Sequence, residues 1–148
     1  MVTFKHVNPP IDAQAVDEFE RYLGMSLPAD YRRFLLEHNG GKPTPNVFLI
    51  SAEKRSEDIV DFFLGLKAER ISFGLEEYAS RRKDHLPSNL ISIARDPGHN
   101  AICLSLEGVD VGKVYFWDAD FGVVGAPDYS NLYLLADSFD DFLSKLHE

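Results

Sequence analysis

The chain has one cysteine, one tryptophan and no long hydrophobic run in its 148 residues. The single cysteine, Cys103, excludes an internal disulfide, and its place in "AICLSL" reads as a small buried hydrophobe rather than a nucleophile. The apolar stretches "VFLI" and "FFLGL" fall far short of the roughly 20 residues that cross a bilayer. The start, "MVTFKHVNPPID", carries no apolar core of a secretory signal. These absences predict a cytoplasmic protein with no membrane partner. Basic residues are also scarce beyond residue 86. Arg95, Lys113 and Lys145 stand there against ten Asp and Glu, a balance of −7, compared with −2 before it and −9 overall. Phosphate contacts need Lys and Arg, so nucleic acid is disfavoured as a direct ligand. A negative half favours fast encounter with a basic partner.

Catalytic and metal-binding patterns are missing too. His6, His38, His85, His99 and His147 show no H-x-H or H-E-x-x-H spacing, and no G-x-S-x-G occurs. His99 beside Asp96 is the one acid–base pair to weigh as a minimal hydrolase site, and it lacks a nucleophile and oxyanion donors. The "NGGK" of residues 39–42 follows a helical pattern instead of preceding one, so carbonyls and the negative dipole end face the loop, which repels phosphate. "DADFGV" places Asp118 and Asp120 at the first and third positions of a calcium loop. Gly122 then takes a ligand position, and Val123 replaces the required glycine. The expectation is no catalytic residue, no metal and no cofactor.

What is present is a clear order of elements. In "IDAQAVDEFERYLG", Ile11, Ala15, Val16, Phe19, Tyr22 and Leu23 form one helical stripe, with Asp12 as N-cap and Gly24 as left-handed stop. Pro28, at a first-turn position, restarts a second helix. Leu27, Tyr31, Phe34, Leu35 and His38 line its apolar face, and Asn39-Gly40 closes it. The two helices read as an antiparallel pair. "VFLI" (47–50) reads as a short buried strand and "DIVDFFLGL" (58–66) as another, while "GLEEYASRRKDHLP" reads as a solvent-facing helix ended by Pro87. "NLISIARDPGHNAICLSL" is two alternating strands about a turn-rich loop, and "GKVYFWD" (112–118) is a third, with Val114 and Phe116 opposite Tyr115 and the core residue Trp117. "LYLLA" reads as an edge segment, and "DSFDDFLSKL" as a last helix capped by Ser138, burying Phe139, Phe142, Leu143 and Leu146. Residues 1–148 therefore predict one α+β domain, a mainly antiparallel central sheet flanked by helices.

These segments, from about Ile11 to Leu146, resemble the SUKH superfamily, which includes the fungal cell-wall assembly and synthesis regulator. Leu27, Pro28, Tyr31, Phe34, Leu35, Asn39, Gly40 and Gly41, with the strand end Trp117-Asp118, fill the signature's places, and those places are structural. The resemblance implies an α+β fold without catalytic residues. For bacterial members it implies immunity: binding and neutralising a polymorphic or contact-dependent toxin, often a nuclease. For fungal members it implies a regulatory interaction scaffold. Charge then nominates a surface for a basic toxin domain: Glu107, Asp110, Asp118, Asp120 and Asp128.

Overall fold

The computed structural model describes residues 2–51, 56–119 and 128–148. Helix α1 spans Ala13–Leu23, and the Asp12 carboxylate caps it by accepting the Ala15 N–H at 3.0 Å. Gly24, at φ 72°, ends it in the left-handed conformation. Ala15, Val16 and Phe19 are buried, but Tyr22, expected on the same stripe, is 62% exposed. Tyr22 instead lies on the outer side of Phe19, against which its ring stacks at 6.5 Å. Helix α2 spans Ala29–His38, and Pro28 sits one position before the first turn, as N-cap with φ −56°. Arg32 joins the two helices by pairing with Asp17 and Glu20, both at 2.9 Å.

Two strands are not apparent in the periodicity. Thr3–Lys5 (β1) pairs antiparallel with Lys42–Thr44 (β2), in the stretch read as loop. Three residues are too few to show a period, so the pairing partner decides the conformation. Val47–Ser51 (β3) pairs with Ser56–Ile59 (β4). β3 is half-buried rather than buried: Phe48 points inward while Leu49 is 44% exposed. The segment read as one strand over 58–66 divides, because β4 ends at Ile59 and Phe62–Phe63 (β5) joins a different sheet.

That sheet is the centre of the molecule. Its order is β5, then Leu90–Arg95 (β6), Ala101–Ser105 (β7), Val114–Trp117 (β8) and Leu132–Ala136 (β9), every neighbouring pair antiparallel. β6 and β7 alternate in sequence but are buried on both faces. Ile91, Ile93, Ile102 and Leu104 meet the main core, while Leu90, Ala101, Cys103 and Trp117 form a second cluster closed by Leu86. Leu86 follows helix α3, Leu75–Arg82, which ends before Pro87 is reached and buries Leu75 and Tyr78 instead of standing wholly in solvent. Helix α4, Phe139–Lys145, is capped by the Ser138 hydroxyl, which accepts the Asp141 N–H at 3.0 Å. Its Phe139 ring packs 5.1 Å from Tyr31, 5.0 Å from Phe34 and 5.8 Å from Phe63, which ties α2 and α4 to the sheet edge. The whole is a single α+β domain.

Leu27, Tyr31, Phe34 and Leu35 lie in this core. Asn39 does more than stop α2. It is 1% exposed at φ 43°, and its amide donates to the Pro9 and Leu66 carbonyls at 2.8 and 2.9 Å while its oxygen accepts the Leu66 N–H at 2.8 Å. The side chain thus acts as a short stretch of strand for the run after β5. Gly40 follows at φ 85°, and a Cβ there would lie 2.6 Å from the Phe63 carbonyl oxygen. Gly41 then exchanges backbone hydrogen bonds with Phe63 at 3.0 and 2.7 Å. "NGG" turns the chain and lets α2 approach the sheet edge; it is not built as an anion cradle.

Candidate protein-interaction surface

The loop after β7 folds back over the second face of the sheet and is held there by one carboxylate. Asp110 accepts from Ser105 Oγ at 2.8 Å and Asn89 Nδ2 at 3.2 Å on one oxygen. Its other oxygen accepts from Tyr115 at 2.9 Å and Tyr129 at 2.7 Å. Burial raises the pKa of Asp110, but hydrogen bonds from Tyr129, Ser105 and Tyr115 outweigh it and hold the carboxyl below its usual range. Burial, with Asp110 beside them, raises both tyrosine hydroxyls, so they remain donors at neutral pH.

Asn89 gathers the neighbouring loops. Its amide also reaches the Glu107 carbonyl at 3.2 Å and the Tyr129 hydroxyl at 2.9 Å. Glu107 and Asp128, far apart in sequence, therefore flank one hydrogen-bonded knot. Both are exposed. Asp128 accepts from the Ser130 hydroxyl and N–H, which lower its pKa. Asp110 and Asp128 are held by uncharged donors, so each keeps its negative charge. Asp118 lies apart, at the other end of β8, where its backbone bonds Asn131 in both directions at 3.0 and 2.9 Å. Asp120 is outside the described residues. Sequence reasoning missed two further carboxylates: Asp17 and Glu20 of α1 line a shallow depression with Glu107. Their charge is shared with Arg32, and the acidic run "DEFE" was the available signal.

The other nominated pair does not assemble. Asp96 accepts the Asn100 N–H at 2.7 Å and its side-chain amide at 2.9 Å, and shares a hydrogen bond with Asp58. Among the described residues no hydrogen bond joins it to His99, which is exposed at φ 68°. His38 is also exposed, with its ring packed on Phe4 at 4.7 Å. Cys103 is buried and its thiol is pushed up to about 12 by burial, the mark of an unreactive sulfur. Among the described residues no group of three or more His, Cys, Asp or Glu is placed to hold a metal ion, and no helix is long and apolar enough to cross a membrane.

An antiparallel five-stranded sheet with helices packed around it defines a small α+β domain. The chain belongs to the SMI1 / KNR4 family (SUKH-1), whose model matches residues 10–145. It is similar to the SPbeta prophage-derived uncharacterized protein YokK of Bacillus subtilis (strain 168), at 29% identity over 149 residues covering 90% of this chain and 73% of the relative. A shorter stretch of 48 residues is 35% identical to the uncharacterized protein YnaB of the same organism, covering 32% of this chain and 33% of that protein.

Proposed function

We propose that the chain is a cytoplasmic immunity protein that binds and neutralises a basic toxin domain, and that it catalyses nothing itself. Membership of SUKH-1 supports this reading, and so does similarity to a prophage-derived protein. The observation that carries it is the patch where exposed Glu107 and Asp128 flank the knot that the Asp110 carboxylate makes with Asn89 and Tyr129. A basic cleft built for phosphate presents the complementary potential, and such complementarity speeds encounter and selects the partner. Asp118, at the other end of β8, is a further candidate contact, and Asp120, nominated with it from the sequence, lies outside the described residues.

The neighbouring reading frame supplies the test. A long secreted protein ending in a small basic domain is expected there, and co-expression of this chain should rescue cells from that domain. Glu107→Lys with Asp128→Lys should weaken the complex and flatten its dependence on salt, because both side chains are exposed and only the surface turn that Asp128 makes with Ser130 is lost from the fold. Affinity and salt slope both unchanged would remove this face from the reading.

A further inference from the structure

Arg82, the last residue of α3, has no carboxylate partner among the described residues of a chain of net charge −9. Arg32, Arg33, Arg81 and Arg95 each pair with a carboxylate. The Arg82 guanidinium instead stacks over Trp117, 4.4 Å from the ring centre, with Tyr78 at 5.7 Å, and Nη2 reaches the His99 carbonyl at a weak 3.4 Å. Its Nη1 is buried and has no hydrogen-bond partner among the described residues, and the same holds for Trp117 Nε1 and His85 Nδ1 beside it. Burial lowers the Arg82 pKa, with Arg81 and Arg95 adding to the effect. A half-buried charge left uncompensated costs stability, and unsatisfied polar atoms gathered at one place call for a partner.

Arg82 also lines a cavity of about 320 Å³ between the end of α1 and α3, whose other walls include Leu23, Met25, Leu86 and Leu90, with Tyr22 at the rim and Ser92 on the sheet side. Apolar walls beside Arg82, with Lys83 as a second cation on the lining, are the layout of a site for a small molecule with an apolar body and an anionic group. A stacked, planar guanidinium matches a carboxylate in a two-bond fork. We propose that this cavity binds a small amphipathic carboxylic acid, its carboxylate on Arg82 and its apolar body between α1 and α3. The cavity adjoins the acidic depression at Met25 but does not depend on the toxin-binding reading.

Trp117 is the one tryptophan and lies directly under Arg82, so its fluorescence reports occupancy. Titration with 3-phenylpropionate should change that emission saturably, and the neutral 3-phenylpropanamide should bind at least about tenfold more weakly, as loss of a charged hydrogen bond predicts. Arg82→Met, which keeps the packing over Trp117, should lose the response by a similar factor while melting no lower than the parent. Arg82→Lys should recover part of it, and this second variant guards against a folding defect in the first. Equal affinity for acid and amide, or undiminished binding by Arg82→Met, would overturn the assignment. Tighter binding of the peptide acetyl-Gly-Gly-Phe than of the free acid would overturn the small-molecule source and give the site to a partner's C-terminus.

Discussion

Asn39 carries three side-chain hydrogen bonds inside the protein, to Pro9 and twice to Leu66. Asn39→Ala strands a buried N–H and two carbonyls and is expected to cost about 2–4 kcal/mol, read from urea unfolding at constant m. Asn39→Asp should cost a comparable amount, because a carboxylate cannot donate to the two carbonyls. A loss below about 0.5 kcal/mol for either would mean that water replaces the side chain. The left-handed stop at this position was legible from "NGG", since Asn and Gly tolerate positive φ. The bonding of the side chain was not, because both partners come from segments brought together only by packing. Asp110 gives the same lesson in reverse. Its sequence marks it as an acidic loop residue, whereas the fold spends its carboxylate on Ser105, Asn89, Tyr115 and Tyr129.

Between elements, the sharpest expectation concerns the contact of β4 with the β6–β7 turn. Asp58 hydrogen-bonds Asp96, and burial, the Asp96 hydrogen bond and its charge raise the Asp58 pKa from 3.8 to about 7 despite the Ile59 N–H. Asp96 is raised by burial but is carried below its ordinary value by Asp58, Asn100 and Gly98. The pair therefore shares one proton, held on Asp58. Raised above its unfolded value, Asp58 gives stability that is full at low pH and lost as pH rises through about 7. Asp96 acts oppositely, its contribution lost only as pH falls through its lowered value. The melting temperature should fall between about pH 4 and 7, and Asp58→Asn, whose amide donates to Asp96 at every pH, should flatten that slope. An identical slope in the variant would place the titration elsewhere. Helix ends were readable at this scale: Ser138→Ala is expected to cost about 1 kcal/mol through the lost Asp141 N–H bond, measured by the same melts. The pairing of β1 with β2 was not readable, because three-residue strands carry no periodic signal.

For the molecule as a whole, charge is the property that reaches beyond contact distance. Association with a basic domain should slow markedly as salt rises from 50 to 300 mM, while dissociation changes little, since screening acts on encounter. Stopped-flow rates that ignore salt would argue against electrostatic steering. The family, the α+β class, the helix caps and the acidic second half followed from the sequence, because each rests on local pattern or on composition. The tertiary structure alone decided which carboxylates share a face, that Asp96 turns to Asp58 and Asn100 rather than His99, and that Arg82 lies over Trp117. Those facts depend on residues tens of positions apart meeting across a sheet. Periodicity fixes which way a side chain points along its own element, but not what waits on the other side.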